Sequence, residues 1–450
     1  MVPCVGTAAT GGGAQPIVSA TVLTNPIDSK GSTMTARGIP TSLAEVVTSG
    51  LCTGCGLCAS LAGPEKIQMG INSDGNSRPQ FLSPLDEPTE SRALAACPGA
   101  TLIGPGRPAG IPVTAAWGPM AGLHRSWASD DEIRYRAAAG GTLTSLARYL
   151  LVAGEVDAIL HVKASATTPW LTDAHVSRTP AEVLEGSQSR YGPAAPLVHV
   201  KQLLDAGSRF AVVAKPCDVS AIRALGRVDP RVENQIPYLL TIFCGGIHHA
   251  GVPRKIIGHH QVHEDDVETF RYRGNGWPGP LRVQTKGGAT HDLTYQEAWL
   301  SGEHPWRYDL QFRCKICPDA VGESADLSAP DGWILKDGKP VHDEAPGTNA
   351  LVVRTARGQQ LVARAVAAGA LTLAPLTIDE LEQMHVNHLD RKVGTPAQML
   401  ALRVTGAQRP AVTGYRPWSA IRKAGIRMSW RQFSGTIRRV RRGDNRETLI

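Results

Sequence analysis

The middle of the chain alternates helical patterns with short, uninterrupted apolar runs. Leucines recur at helical spacing over residues 143–152, directly after a Gly-Gly-Thr sequence. The apolar runs that follow are rich in β-branched residues and cover residues 158–162, 210–214 and 238–243. Strands buried on both faces have this uninterrupted apolar character, which is typical of parallel sheets covered by helices. We therefore predict a mixed α/β fold with a central, largely parallel sheet and helices around it.

Turn signals and changes of composition divide the sequence into four parts. Residues 1–40 are rich in Gly, Ala and Thr and lack periodicity, so we expect a disordered extension. Residues 41–110 form a small N-terminal module, in which Ile71-Asn-Ser-Asp-Gly-Asn76 predicts a hairpin. Residues 111–357 carry the α/β pattern. Residues 358–450 are expected to be a C-terminal helical segment that ends in a basic tail.

The charge of the chain is concentrated at its end. The formal net charge is +7 and the sequence pI is about 9.0, but the excess of basic residues lies in residues 391–450. No helix-turn-helix, zinc-finger or aromatic-platform pattern accompanies this excess, so nucleic acid is not expected as a partner. Contact of the basic tail with an anionic membrane surface or an acidic electron-transfer partner is left open.

The sequence contains no apolar run of about 18 residues, so we expect no transmembrane helix. Its N-terminal residues lack the charged and apolar regions of a secretory signal, and we expect a cytoplasmic protein. Cytoplasmic thiols stay reduced, and cysteines in that compartment bind metals more often than they form disulfides.

Eight of the nine cysteines form two sets of four. The first set has three cysteines at two-residue spacing and a distant Cys-Pro pair, as in bacterial ferredoxins; its members are Cys52, Cys55, Cys58 and Cys97. The second set combines a Cys-x2-Cys pair with two cysteines that each follow an apolar run; its members are Cys217, Cys244, Cys314 and Cys317. The remaining residue, Cys4, is expected not to be a ligand. The N-terminal module is thus predicted to be small, ferredoxin-like and cluster-binding.

A series of motifs occurs in one order along residues 51–357. The motifs are Cys52-Thr-Gly-Cys-Gly-Leu-Cys58, Gly140-Gly141-Thr142, Lys215-Pro-Cys-Asp218 with Ile222-Arg223, Phe243-Cys244, Tyr272-Arg-Gly-Asn-Gly-Trp-Pro-Gly279 and Arg313-Cys-Lys-Ile-Cys-Pro-Asp319 with Ala325-Asp326. Together they resemble the coenzyme F420 hydrogenase/dehydrogenase beta-subunit family, which includes the beta subunit of the F420-reducing hydrogenase and 7-hydroxymethyl chlorophyll a reductase. The resemblance leaves out the N-terminal extension and the basic end.

The resemblance implies an iron-sulfur flavoprotein oxidoreductase. FAD and two 4Fe-4S clusters are the implied cofactors, and the second cysteine set would bind the cluster nearest the flavin. The implied FAD-binding residues are Gly140, Gly141, Thr142, Ser189, Arg190 and Tyr191. Reduced coenzyme F420 or ferredoxin is the implied electron donor, and a small-molecule substrate or a protein is the acceptor.

Two residues beside Cys217 are candidates for catalysis. Lys215 and Asp218 could orient the flavin or transfer a proton. A charged residue beside a cluster ligand could equally tune the potential of the cluster.

A second interpretation is a zinc-stabilised binding protein whose basic tail contacts an anionic polymer, because Cys-x2-Cys pairs also form zinc sites. Cys58 and the pair Cys217 and Cys244 would then be redundant, so we prefer the redox interpretation. The substrate, the electron donor, self-association and the choice between a stand-alone enzyme and a subunit are left open.

Overall fold

The computed structural model describes residues 38–302, 306 and 309–450, without the side chains of residues 417–423. Cys4 and nearly all of the expected N-terminal extension lie outside these residues. Residues 38–450 form one unit.

The N-terminal part of this unit surrounds a hairpin. Its elements are α1 (Leu43–Thr48), α2 (Leu57–Ala62), β1 (Ile67–Ile71), β2 (Ser77–Phe81), α3 (Glu87–Ala95) and β3 (Thr101–Ile103). Strands β1 and β2 are antiparallel, with Ile71 opposite Ser77, as the turn signal predicted. Gly75 has φ +77° in the turn, a conformation that few other residues adopt without strain.

Most of the central sheet and its helices follow. The next elements are β4 (Val113–Thr114), β5 (Gly118–Pro119), β6 (Gly122–Ala128), α4 (Asp131–Arg136), α5 (Thr142–Val152), β7 (Ala158–Ala164), β8 (Thr172–Ser177), α6 (Pro180–Glu185), α7 (Val200–Asp205), β9 (Phe210–Val213), α8 (Pro216–Leu225), α9 (Arg231–Gln235) and β10 (Leu239–Thr241).

The remaining elements complete the sheet and add the C-terminal helices. They are α10 (Gly251–His259), β11 (Val267–Arg271), β12 (Leu281–Thr285), β13 (Thr290–Leu293), α11 (Phe312–Lys315), β14 (Leu327–Ser328), β15 (Ile334–Lys336), β16 (Lys339–Val341), β17 (Asn349–Val353), α12 (Ala356–Ala367), β18 (Leu371–Pro375), α13 (Ile378–Met384), α14 (Val386–Val404), β19 (Ala411–Thr413) and α15 (Pro417–Arg442). A 3-10 turn (Glu264–Asp266) and a π-helical turn (Gln296–Leu300) interrupt this region.

Eight strands form a mixed central sheet in the order β18-β6-β17-β14-β10-β9-β7-β8. The four strands β14, β10, β9 and β7 run parallel to one another. The strands outside them pair antiparallel. The parallel arrangement that the apolar runs predicted therefore holds for the centre of the sheet, and its flanks are antiparallel.

Both faces of the central strands are buried because their side chains alternate between two apolar clusters. Leu160 of β7 packs on one face with α2, α7 and α8, whereas Ile159 packs on the other face with α5 and α12. The same alternation separates Leu239 from Leu240 in β10. Burial on both faces is the physical reason for the uninterrupted apolar runs in the sequence.

The C-terminal residues are built into the rest of the unit rather than appended to it. Strand β18 is an edge strand of the central sheet, and β19 pairs in parallel with β3 of the N-terminal part. Helix α15 packs along α14 and carries many of the arginines of the basic end. Beyond it, Glu447 reaches back to Arg78 of β2. The expected C-terminal helical segment and its basic end therefore pack against the rest of the unit through partners that lie far away in the sequence.

None of the helices described in the structure combines the length and the apolar character that crossing a membrane requires.

Candidate functional site

A large pocket opens at the carboxyl ends of the parallel strands. Its wall includes His161 of β7, the segment from Val213 to Lys215 after β9, Phe243 after β10 and Asp331 after β14. The carboxyl edge of an open α/β sheet is where such folds bind their ligands. Five of the six residues expected to contact FAD line this pocket; they are Gly141, Thr142, Ser189, Arg190 and Tyr191.

The loop before α5 is held rigidly against the sheet. Gly141 caps the helix with φ +75°, in the left-handed region. A Cβ on Gly140 would lie 2.8 Å from the backbone nitrogen of Asn349 and 2.8 Å from the carbonyl oxygen of Ser126. Asn349 Oδ1 accepts a hydrogen bond from the Thr142 amide at 3.2 Å, and the Thr142 and Ser126 hydroxyls lie 2.8 Å apart. Gly141 and Thr142 thus face the pocket, while Gly140 packs behind it.

The second predicted loop contributes in a different way. The Arg190 guanidinium makes four hydrogen bonds to protein atoms: Thr172 Oγ1 and the carbonyl oxygens of Pro169, Leu171 and Phe270. The ring of Tyr191 packs edge-on against Tyr272, with centroids 5.3 Å apart. Arg190 therefore fixes the loop, which leaves Ser189 and Tyr191 as the side chains available to a ligand.

Lys215 joins this pocket to the second cysteine set. Its ammonium lies 2.8 Å from Asp218 Oδ2, and the same carboxylate oxygen accepts a hydrogen bond from the Lys215 amide at 3.0 Å. Burial opposes the charge of Lys215, but Asp218 and the sulfurs of Cys217 and Cys244 outweigh it and raise the pKa of the ammonium. The Asp218 side chain is fully buried and is absent from the pocket wall. Of the two catalytic candidates, only Lys215 faces the pocket.

The second cysteine set lies directly behind the pocket wall. Cys217 is the second residue of α8 and Cys244 follows β10, while Cys314 lies in α11 and Cys317 just after it. Burial raises the pKa of the Cys244 thiol to about 12, and the neighbouring sulfurs of Cys314 and Cys317 add to this shift. The Ile247 amide points at Cys314 Sγ over 3.4 Å. The structure thus brings together four cysteines that are separated by up to 100 positions in the sequence.

The first cysteine set lines a small cavity in the N-terminal part. All four thiols border this cavity together with Met69 and Pro79. The Gly54 amide lies 3.4 Å from Cys52 Sγ, and Gly54 adopts φ +71° in the turn around the sulfurs. Burial raises the pKa of the Cys97 thiol to about 11.

The two sets are neighbours. Cys52 and Cys97 pack against the apolar cluster that contains Phe312 and Ile316. These two residues flank Cys314 of the second set, each two positions away in the sequence. Arg78 is completely buried between the sets; its Nη2 donates to Gln311 Oε1 at 2.9 Å. Gln311 Nε2 in turn lies 3.5 Å from Cys314 Sγ. A continuous chain of contacts therefore runs from the pocket through the second set to the first.

The chemistry of the donors fits iron-sulfur clusters. All eight cysteines of the two sets are free thiols, and backbone N–H groups point at the sulfurs of Cys52 and Cys314, one in each set. Hydrogen bonds of this kind stabilise cluster sulfurs. Across the described part of the chain, no three His, Cys, Asp or Glu side chains were found close enough to hold a single metal ion.

The pocket also contains polar groups that sequence reasoning missed. Gln188 Oε1 is buried in the pocket region with no hydrogen-bond partner among the described residues. Arg273 is buried, pairs with Asp331 at 2.9 Å and lines the pocket together with it. Arg273 was visible in the sequence as part of a glycine-rich motif, whereas Gln188 and Asp331 carry no local signal. An unpaired buried acceptor in the pocket wall fits a polar ligand that donates a hydrogen bond from an N–H or O–H group.

Two family models match the chain over this site. The coenzyme F420 hydrogenase/dehydrogenase beta subunit N-terminal model matches residues 123–202, and the C-terminal model of the same subunit matches residues 207–379. Together they cover more than half of the 450 residues. The chain belongs to the coenzyme F420 hydrogenase/dehydrogenase beta-subunit family. The matched residues include the second cysteine set, whereas the first set lies before residue 123.

Individual relatives of this family support the same placement. The chain is 31% identical over 217 residues to the beta subunit of an F420-dependent formate dehydrogenase from Methanocaldococcus jannaschii, covering 46% of this chain and 53% of the relative. It is 23% identical over 269 residues to a coenzyme F420 hydrogenase subunit beta from Methanosarcina barkeri, covering 55% and 79%. A coenzyme F420-dependent sulfite reductase from M. jannaschii is 22% identical over 245 residues, covering 49% and 34%. The chain thus spans about half the length of the formate dehydrogenase subunit.

Among solved structures, an F420-reducing NiFe hydrogenase complex from M. barkeri contains a chain with 20% identity and a TM-score of 0.49. The match covers 65% of this chain and 95% of the other.

Proposed function

We propose that this chain is the electron-exchanging subunit of an F420-linked oxidoreductase. In this proposal the pocket holds FAD and each cysteine set holds a 4Fe-4S cluster. Electrons enter from reduced coenzyme F420 or from ferredoxin and leave to a small-molecule or protein acceptor. A flavin supplies the exchange between a two-electron hydride and single electrons, which clusters carry one at a time.

One observation carries the proposal: the pocket wall and the second cysteine set share the same two loops. Lys215 lines the pocket and Cys217 lies two residues further on. Phe243 lines the pocket and Cys244 is the next residue. A ligand in the pocket would therefore lie against the backbone that carries two of the four thiols. Family membership supports the same proposal, because two of the relatives are named as subunits of an F420-dependent formate dehydrogenase and of a coenzyme F420 hydrogenase.

In this proposal, different pocket residues contact different parts of FAD. The N-terminal end of α5, where Leu143 and Thr144 also line the pocket, offers amide groups and the positive end of an 11-residue helix to a diphosphate. Lys215 places a fixed positive charge at the wall nearest the thiols, and Asp218 positions it. Lys215 is the candidate for orienting the flavin or moving a proton, whereas Asp218 acts through Lys215.

The exposed face of α15 is the surface we assign to an acidic redox partner. Arg427, Arg431, Arg438 and Arg441 recur at helical spacing and are exposed. Beside them, Ile426 is 87% and Trp430 67% exposed. A mixed face of guanidinium groups and large apolar side chains suits electrostatically steered docking of an acidic protein. Arg431→Glu should weaken the salt dependence of partner reduction, whereas the same change at the exposed Arg178 should not.

The test is to purify the full chain without air and to measure its visible spectrum, flavin, iron and zinc. We expect about one FAD and about eight iron atoms per chain, the content of two 4Fe-4S clusters. Reduced coenzyme F420 and reduced ferredoxin are then added in separate samples. Bleaching of the flavin absorbance by one donor identifies the entry of electrons.

The result that overturns the proposal is a colourless protein that holds zinc and no flavin. The zinc-stabilised binding protein would then be the better interpretation. If the protein contained flavin and only about four iron atoms, the assignment of the pocket to flavin would stand, and only one of the two cysteine sets would bind a cluster.

A further inference from the structure

Arg313 connects the two cysteine sets. It directly precedes Cys314, and its Nη2 donates a hydrogen bond to the carbonyl oxygen of Pro98 at 3.2 Å. Pro98 in turn directly follows Cys97. A single side chain thus runs from the backbone of the second set to the backbone of the first.

The positive charge of Arg313 has no partner of the usual kind. The residue is 2% exposed, and its Nε has no hydrogen-bond partner among the described residues. Among the residues that the structure describes, no carboxylate forms an ion pair with Arg313. An isolated buried charge is costly unless an opposite charge lies close by. The arrangement therefore points to an anionic group that occupies the space around this guanidinium.

The thiols are the groups nearest to the guanidinium. It lies close enough to act electrostatically on Cys97 of the first set and on Cys317 of the second. At Cys317 the buried carboxylate of Asp319 acts in the opposite direction. One buried guanidinium is therefore shared by a thiol of each set.

Arg78 is a useful contrast because it lies near both sets but is already neutralised. Its guanidinium is bound by both carboxylate oxygens of Glu447 at 2.5 and 2.7 Å. It interacts with Cys52 and Cys314, one thiol from each set. The pair of Arg78 and Glu447 adds almost no net charge between the sets, whereas Arg313 has no ion-pair partner among the described residues.

We propose that Arg313 is a positioning residue whose positive charge acts on both clusters. This charge stabilises the reduced form of each cluster relative to its oxidised form. It thereby raises both reduction potentials into the range in which an electron passes from one cluster to the other. The inference rests on the proposed function, since it requires clusters at both sets. Each electron that a cluster accepts adds one negative charge, and a nearby buried cation favours that state. The electron moves from one cluster to the other with no net charge entering or leaving the pair of sites.

The experiment compares three variants of the full chain purified without air. Arg313→Gln removes the charge, and Arg313→Lys retains it. Lys315→Gln is the matched control, because it removes a positive charge from the same short helix at the edge of an open groove. Iron content and the midpoint potential of each cluster, followed by electron paramagnetic resonance during a redox titration, are the readouts.

We expect Arg313→Gln to keep its iron and to shift both clusters to more negative potentials. At the wild-type midpoint, the ratio of reduced to oxidised cluster should fall about tenfold, which corresponds to about 59 mV for one electron. Arg313→Lys should restore most of this shift, and Lys315→Gln should change the potentials much less because water screens its charge. If Arg313→Gln binds no iron, reconstitution of Arg313→Lys with near-wild-type potentials supports the same role.

Three results overturn the inference. The first is an iron-loaded Arg313→Gln variant with unchanged potentials, and the second is a shift confined to one cluster. The third is failure of both variants to hold iron, which would make Arg313 a structural residue only. A wild-type chain without iron would instead refute the proposed function, so the two failures are distinguishable.

Discussion

Arg78 and Glu447 form a buried, two-pronged ion pair across 369 positions of the sequence. Arg78 Nε lies 2.5 Å from Glu447 Oε2, and Nη2 lies 2.7 Å from Oε1. The Arg78 side chain is 0% exposed and that of Glu447 is 5% exposed. This contact ties the last residues of the chain to the hairpin beside the first cysteine set. The last residues are therefore packed against the N-terminal part that carries the first cysteine set.

We expect Glu447→Gln to lower the free energy of unfolding by about 3–5 kcal/mol, because it leaves the buried guanidinium of Arg78 without a counter-charge. Glu132→Gln is the control, since Glu132 forms an exposed pair with Arg136 and should contribute less than about 1 kcal/mol. Urea unfolding followed by circular dichroism measures both. Equal losses in the two variants would contradict the structural role of the pair.

The two cysteine sets should be separable by mutation. We expect Cys314→Ser and Cys55→Ser each to lower the iron content by about four atoms per chain, which is one 4Fe-4S cluster. Both variants should still bind flavin, because neither residue lines the pocket. Iron analysis and flavin absorbance check these contents.

The rate of electron passage distinguishes the two variants. Cys314→Ser should slow the passage of electrons from a reduced flavin to an external acceptor, since its set lies next to the pocket. Cys55→Ser should leave electron transfer from the flavin to the second set intact. It should slow only the transfer from the second set to the first. Stopped-flow absorbance resolves these two steps. The same kinetic effect in both variants would contradict the order of pocket, second set and first set.

The central strands and the cysteine sets could be predicted because their signals are local. Burial on both faces makes β9 apolar throughout and places two leucines in the three-residue β10, and Cys-x2-Cys spacing is visible in a short stretch of sequence. Strand β14, at the edge of the parallel group, has only two residues, which is too short a pattern to recognise. Strand β6 of the antiparallel flank mixes polar with apolar side chains, which explains why sequence reasoning missed it.

The contacts between distant residues could not be predicted from local patterns. Glu447 lies in a basic, polar stretch that resembles a solvated tail. Its burial depends on Arg78, a charged residue within a short strand, and on the folding of everything between them. The family models likewise begin at residue 123, later than the expected start near Leu51. The first cysteine set was therefore found from its own spacing rather than from the matched domains.

Gly141 should be required for flavin binding. It adopts φ +75°, and a Cβ there would lie 3.1 Å from the carbonyl oxygen of Ile133. We expect Gly141→Ala to displace the start of α5 and to lower the ratio of bound flavin to protein at least severalfold. Absorbance of the released flavin after denaturation gives this ratio.

Gly154 at the other end of α5 is the matched control. It has φ +63° and no atom within 4 Å of an added Cβ. Gly154→Ala should therefore carry a similar backbone cost of about 1 kcal/mol without affecting the pocket. A loss of flavin in both variants would show that helix stability, rather than the shape of the loop, controls binding.

His161 should make the stability of the chain depend on pH. Its imidazole is buried beside the pocket, with Nε2 2.7 Å from Ser177 Oγ. Burial lowers the pKa of His161 to about 4, and nearby His175 and Lys163 add to the effect. Between about pH 6.5 and pH 4, the unfolded chain binds a proton that the folded chain does not. The stability supported by the neutral imidazole is therefore present above this range and is lost as the pH falls through it.

We expect His161→Gln to reduce the slope of unfolding free energy against pH in that range by up to about 1.4 kcal/mol per pH unit. Urea midpoints at several pH values measure the slope. Ser177→Ala is the control: it removes the hydrogen bond but leaves the imidazole buried, so it should lower stability without flattening the curve. If Ser177→Ala flattened the curve as much as His161→Gln, the hydrogen bond rather than burial would control the titration. An unchanged slope in His161→Gln would assign the acid sensitivity to other buried groups.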